Sequence, residues 1–143
     1  QHYSENNTAV GRAALRSNTG GDNNTGGGQG SLSSNTTGQK NIAVGGQSLD
    51  ANTTSNNNVA IGYESLTDNT GGENVAVGTG ALANNNSASN NTAVGHDAMV
   101  STTTGTATVA VGEYASIANT TSAVTTDIGY SSLSSNTTST DTT

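Results

Sequence analysis

"NNVAIGYESLTDNTGGENVAVGTGAL", residues 57–82, carries nearly the same motif twice. The first copy reads N-V-A-I-G-x-x-S-L from Asn58, and the second reads N-V-A-V-G-x-x-A-L from Asn74. Self-similarity at a fixed short period is the sequence signature of repeat architectures, in which each unit packs only against its neighbours. The stretch therefore raises the question of whether the whole chain is built from such units.

The glycine that closes the A-V-G element recurs along all 143 residues. Successive occurrences are 17 residues apart in six of the seven intervals and 16 apart in the interval from Gly62 to Gly78. We therefore predict one repeat domain, residues 1–143, with eight coils of 17 residues. The marker glycines, one for each predicted coil, are Gly11, Gly28, Gly45, Gly62, Gly78, Gly95, Gly112 and Gly129.

The pattern within one unit is typical of β-structure, because a β-branched alternation such as Val59-Ala60-Ile61 replaces the longer apolar stripe of a helix. Two short strands per unit, separated by Asn-Thr and Gly-Gly turns, predict an all-β parallel β-solenoid (β-roll). Residues at the same place in successive coils form a column. We expect the column before the marker glycine to point inward (Val10, Val44, Ile61, Val77, Val94, Val111), beside a Leu column (Leu15, Leu32, Leu49, Leu66, Leu82, Met99). Asn columns are expected to form amide ladders along the stack.

The residue two places before the marker glycine is alanine in six of the eight coils. It lies between two positions that are predicted to face inward, so strand alternation would place it on the opposite side of the sheet. A small apolar outer column suggests packing against another chain, and the alternative is that alanine fills a tight turn. Coil two has Gly26 and Gly27 in these columns, so it is expected to be the weakest coil. The candidate inter-chain residues are Ala9, Ala43, Ala60, Ala76, Ala93 and Ala110.

Composition and charge exclude several classes of partner. The chain has 3 basic and 10 acidic residues, a net charge of −7, so it lacks the clustered Lys and Arg that bind phosphates. Nucleic acid and anionic membrane surfaces are therefore not expected partners. There is no cysteine, which excludes disulfides and thiolate metal sites. No apolar run approaches the roughly 18 residues of a membrane span, so membrane insertion is not expected.

The sequence contains no recognisable catalytic constellation. Its two histidines are His2, at the terminus, and His96, and neither stands in a Ser/His/Asp or metalloprotease spacing. The acidic residues are scattered over repeat positions, so no metal site or cofactor is expected, and we predict that the protein is not an enzyme.

N-x-S/T sequons are frequent in this Asn- and Thr-rich chain, which is the plain explanation for their number. Four of them share one repeat position and the sequence N-T-T, in a turn that is expected to be exposed (Asn35, Asn52, Asn119, Asn136). Such turns are candidate glycosylation sites. The full set of candidates is Asn6, Asn23, Asn35, Asn52, Asn85, Asn90, Asn119 and Asn136.

The consensus N-x-A-V-G-x-x-A-L-x-x-N-T-T-G resembles the head repeats of YadA-like trimeric autotransporter adhesins and of related tail-fibre-like surface proteins. The best matches are residues 58–66, 74–82 and 91–99, and the resemblance covers about the whole chain. It implies a left-handed β-roll, three chains that share a core, and an extracellular location on a cell surface or virion fibre. The stalk, coiled coil and membrane anchor of that family are absent from this sequence.

Three functions follow from these observations. The first is a structural subunit of an extracellular filament or fibre, whose partner is itself, through head-to-tail stacking, a trimer, or both. The second is a host- or surface-binding segment of an adhesin or phage fibre, whose partner would be a surface glycan or a receptor. The third is an ice-binding solenoid, although its Thr column is broken by Ile42, Val59, Val75 and Val109.

Overall fold

The computed structural model describes residues 4–121, 123–138 and 140–142, and it has no helix in them. One short strand occurs in each coil, and consecutive strands pair in parallel in the order of the chain. The predicted parallel β-solenoid with a 17-residue repeat is confirmed; the handedness implied by the resemblance stays a prediction. The strands are β1 (Thr8–Val10), β2 (Thr25–Gly27), β3 (Ile42–Val44), β4 (Val59–Ile61), β5 (Val75–Val77), β6 (Thr92–Val94), β7 (Val109–Val111), β8 (Ala123–Ile128) and β9 (Thr140–Thr142).

Pairing aligns each column with itself. Ala43 pairs with Ala60, and Ala60 pairs with Ala76 across the one interval of 16 residues. The ninth strand was not predicted: Thr140 and Thr142 pair with Ala123 and Thr125, at the start of β8. The stack therefore continues beyond the eighth marker glycine.

The predicted second strand of each coil is wrong. The segment that ends in the Leu column forms a turn, and the residues of that column have φ between 45° and 55°. This left-handed conformation is unusual for a bulky residue. It bends the chain immediately after the strand and points the side chain into the core, where Leu32, Leu49 and Leu66 are completely buried. Main-chain hydrogen bonds still join these turns, as from Leu66 N to Ala81 O at 3.0 Å.

The marker glycines are required by close stacking. Their φ angles lie between 124° and 141°, and a Cβ atom on any of the first seven would lie 2.3–2.6 Å from the carbonyl oxygen of the next marker glycine. Real Cβ atoms do not approach that closely, and the backbone conformation is one that glycine adopts without a steric penalty. The repeat spacing of glycine is therefore a direct consequence of how one coil rests on the next.

The sidedness predicted for the strands is also wrong. The Ala column, which was expected to face outward, lies in the core: Ala43, Ala60, Ala76, Ala93 and Ala110 are fully buried. The column predicted to point inward lies on the outer surface, where Val10, Val44, Ile61 and Val111 are exposed and Val77 and Val94 are partly exposed. The Leu column is buried, as predicted.

The reason for this sidedness is the narrowness of the coil. A Cβ atom on Gly26, in the Ala column, would lie 3.2 Å from Ser31 Oγ and 3.4 Å from Leu15 Cγ on the opposite wall. The interior thus accepts one methyl group per coil, and a valine there would overpack it. Coil two accordingly lacks only one core methyl group, at Gly26, because Gly27 replaces an outward-facing valine.

Buried asparagines form two ladders along the stack, as predicted. In the first, four residues before the marker glycine, each side-chain oxygen accepts the main-chain amide of the next coil, as Asn41 Oδ1 does from Asn58 N. In the second, seven residues after the marker, side chains bond one another, as from Asn52 Nδ2 to Asn35 Oδ1 at 3.0 Å. Both ladders satisfy polar groups that would be costly to bury unpaired.

Candidate functional site

The described residues contain no group of three His, Asp or Glu side chains that could hold a metal ion. One cluster of ionisable side chains lies on the surface around His96. Its ring nitrogens are 3.6 Å from Asp97 Oδ2 and 3.8 Å from Glu113 Oε1, and its ring meets that of Tyr114 edge-on at 5.3 Å. His2, the other histidine of the sequence, lies outside the described residues. No helix in the described ranges is long and apolar enough to cross a membrane.

The most extensive surface feature is an apolar sheet face. Because the Ala column points inward, the residues one and three places before each marker glycine point outward on one side of the solenoid. We call this surface the Val/Ile face. It runs across β1–β8 and consists of Thr8, Val10, Thr25, Gly27, Ile42, Val44, Val59, Ile61, Val75, Val77, Thr92, Val94, Val109, Val111, Thr126 and Ile128.

The central part of the Val/Ile face is almost continuously apolar. From β3 to β5 all six outward residues are valine or isoleucine, and Val44 and Ile61 expose 43% and 42% of their surface. Eight strands at the usual spacing of about 4.8 Å give the face a length of roughly 38 Å. Contiguous exposed apolar surface of this kind commonly marks an interaction site in a soluble protein.

The inter-chain role predicted for the Ala column is wrong. Five of its members are completely covered by their own chain, so another chain cannot contact them. The exception is Ala9, which is exposed in the first described coil. The signal that could have identified the correct face is Gly26, since a column that accepts only small side chains in seven coils indicates a tight interior.

Burial also separates the predicted sequons into two groups. The turn position that was expected to be exposed faces inward: Asn35, Asn52 and Asn119 are fully buried, as is Asn85, and Asn136 is half-buried. The amides of Asn35, Asn52 and Asn85 belong to the second ladder. The residue that follows each of the five sequon asparagines lies nearer to solvent. The candidates with exposed side chains are Asn6, Asn23 and Asn90. Glycosylation of these three stays a prediction.

The core becomes polar near its C-terminal end. Asp127 occupies the Ala column and Ser116 occupies the Leu column, and both are buried. Within the described residues, neither carboxylate oxygen of Asp127, nor Ser116 Oγ, nor Ser132 Oγ completes a hydrogen bond. Burial raises the pKa of Asp127 above 3.8, and the nearby Ser116 hydroxyl opposes this rise. A carboxyl in this environment favours its neutral form.

Comparison of the chain with protein-family models, curated proteins and solved structures gives no match.

Proposed function

We propose that the chain is a structural subunit of an extracellular fibre, in which copies of the chain pack side by side through their Val/Ile faces. The observation that carries this proposal is the exposure of valine and isoleucine on one side of the solenoid from β3 to β5. Burying such side chains stabilises an assembly by roughly 25 cal/mol for each Å² of apolar surface removed from water.

A second copy of the same chain is the partner that fits this surface best. Both faces would carry outward side chains at the same strand spacing, so their rows can interlock along the whole length. Polar and charged residues border the face, including Arg12, Lys40, Glu73 and Glu113, which is the arrangement of an apolar centre and a polar rim. The resemblance to trimeric adhesin heads favours three chains around one axis.

Head-to-tail stacking is the second element of the proposed fibre. All three basic residues lie within the first 40 positions, together with two of the ten acidic residues, so the remaining 103 residues carry −8. Contact between the first coils of one copy and the last coils of another would therefore bring opposite charge together.

Sedimentation velocity over a range of concentrations tests the lateral contact. We expect the wild-type chain to form oligomers, and Ile61→Glu and Val77→Glu to shift it toward monomers because each places a charge in an apolar contact. Thr54→Glu is the matched control, since it adds the same charge at an exposed position outside the face. A wild-type chain that remains monomeric at every concentration would exclude the proposal, as would equal dissociation by the control.

A further inference from the structure

The single 16-residue interval produces a local departure from the repeat. We define the corner as the segment between the two buried Asn ladders. It has five residues in the coil of Asn52, residues 53–57, and four in the coil of Asn69, residues 70–73. Asn52 Nδ2 bonds the carbonyl three residues later, at Ser55, whereas Asn69 Nδ2 bonds the carbonyl two residues later, at Gly71. The missing residue is therefore the one directly before Gly71.

The short corner interrupts the second ladder. On one side of the short corner, Asn85 Nδ2 of the following coil donates to Asn69 Oδ1 at 2.6 Å. On the other side, Asn52 Oδ1 of the preceding coil is buried and has no partner among the described residues. Asn69 instead accepts a bond from Gly71 N within its own corner. The deletion is thus accommodated locally, and the strand register on both sides is kept.

A recess of about 420 Å³ lies at this place. Gly72 provides no side chain at the position where the neighbouring corners carry Asn56 and Ser89, so the surface is hollow between them. The recess spans the corners of three successive coils and is lined by Ser55, Asn56, Asn57, Gly72, Glu73, Ser89 and Asn90.

The lining is rich in polar groups whose bonding capacity is unused. Main-chain amides hold the corners together: Gly72 N donates to the side-chain Oγ of Ser89 at 3.2 Å, and Glu73 N donates to the main-chain oxygen of Asn56 at 3.1 Å. The side chains of Asn57, Glu73 and Asn90 are exposed, occupy one column, and make no hydrogen bond within the described residues. They present an amide, a carboxylate and an amide in successive coils, about 4.8 Å apart.

We propose that this recess is a binding site for a neutral saccharide. Amide and carboxylate groups can donate to and accept from the adjacent hydroxyls of a sugar ring, and Asn57, Glu73 and Asn90 supply both kinds of group. The volume lies within the range of about 300–1,000 Å³ that is usual for small-molecule sites. The recess has no apolar side chain in its lining, which favours a ligand that is polar over its whole surface.

Other ligand classes fit the recess less well. The lining contains no Lys, Arg or His, so a phosphate, sulfate or nucleic acid would find no positive charge there. Glu73 is its sole carboxylate, whereas calcium takes six to eight oxygen ligands. The recess adjoins the Val/Ile face at Glu73, but no residue of that face lines it, so the site does not depend on fibre formation.

Nuclear magnetic resonance of the ¹⁵N-labelled full chain tests the site, with glucose, galactose and N-acetylglucosamine as separate probes. We expect at least one sugar to shift the amide signals of Gly72, Glu73 and Asn90 in a saturable way. The absence of a saturable shift with all three sugars would overturn the proposal. Shifts of equal size at the five-residue corners of other coils would overturn it too, because they would indicate unspecific contact with the polar surface.

Gly72→Asn fills the recess with the side chain that the preceding corner already carries. Gly72 has no positive φ angle, and its Cβ atom would lie 3.1 Å from Asn56 O, so the corner must shift by a few tenths of an ångström to accept the change. Affinity should fall at least about tenfold, or 1.4 kcal/mol. Gly46→Asn is the matched control, because Gly46 also lacks a positive φ and its Cβ would lie 3.2 Å from Tyr63 Cδ2. Equal loss in both variants would contradict the assignment.

Discussion

The main-chain amide of Asn58 donates a hydrogen bond of 3.0 Å to the side-chain oxygen of Asn41, 17 residues earlier. Both residues are fully buried, and Asn58 Oδ1 accepts the same bond from Asn74 N in the next coil. Each asparagine thus fixes the backbone of its neighbour at the entry to the strand. The ladder determines which residues begin each strand, and so it holds the register of the sheet.

Replacement of Asn41 by alanine should destabilise the solenoid by about 1–3 kcal/mol, because it leaves the buried Asn58 amide without an acceptor. The Ser55 carbonyl keeps its second partner, Asn52 Nδ2, so one orphaned group accounts for most of the cost. Urea unfolding followed by circular dichroism measures the change. Asn86→Ala, at an exposed position, is the control and should change stability by less than about 0.5 kcal/mol. Similar losses in the two variants would mean that the ladder has no special role.

Gly26→Ala should stabilise the chain by about 0.4–1 kcal/mol, since it restricts the unfolded backbone and restores the core methyl group of the Ala column. The added Cβ would lie 3.2 Å from Ser31 Oγ, and the serine side chain can rotate away. The same urea experiment applies.

Gly28→Ala is the counterpart two residues later, and it should strongly destabilise the fold. Its Cβ would lie 2.4 Å from the carbonyl oxygen of Gly45, at a φ of 141°. For the first of these two variants, Gly26→Ala, a loss of stability would contradict the packing described above, because it would show that coil two has no room for the methyl group.

Asp127 should make stability depend on pH. Folding raises its pKa above 3.8, because burial disfavours the charged form, so the folded state holds the proton more tightly than the unfolded state. The contribution of Asp127 to stability is therefore largest below about pH 3.8 and is lost as the pH rises through the folded pKa. Asp50, whose pKa is raised by burial and then by repulsion from Asp68, contributes in the same direction.

Hydrogen exchange at the amide of Gly129, which donates to Val111 O at 2.8 Å, reports on the coil that contains Asp127. After correction for intrinsic exchange, its protection should decrease between acidic and neutral pH in the wild type. Asp127→Asn and Asp127→Ala, which remove the titrating group, should abolish most of that decrease. An unchanged pH dependence in both variants would exclude Asp127 as its origin.

The sequence determined the repeat length, the Leu column and the Asn ladders, because these depend on residue types that recur at one spacing. It did not determine which side of the strand faces inward. Alternation places Ala60 opposite Val59 and Ile61, but the choice between the two sides depends on the distance to the facing wall. That distance is set by the left-handed turn at Leu66, whose φ of 51° no propensity of leucine predicts.

The candidate surfaces were less predictable for the same reason. Reversing the sidedness moved Ala60 and Ala76 from the expected interface into the core, and it moved Ile61 and Val77 onto the surface. The sequon residues Asn35 and Asn52 were also expected at the surface and lie in the core. Their side-chain amides, and not the threonines beside them, donate to the carbonyl groups of Gly38 and Ser55. The shortened interval at Gly78 was visible in the sequence, but its consequence required knowledge of which column had lost a residue.

The stacking of each marker glycine on the next also bears on how such a chain can change in length. The main-chain hydrogen bonds between coils join the same pair of repeat positions from one coil to the next, so deleting or duplicating one whole unit by recombination would bring equivalent positions together again. The rod would shorten or grow in steps of about 4.8 Å. A crossover that is out of phase by one residue within a strand would instead bring valine to the position of Ala60, where the interior accepts one methyl group. Selection on folding would then preserve the repeat length even while the number of units drifts.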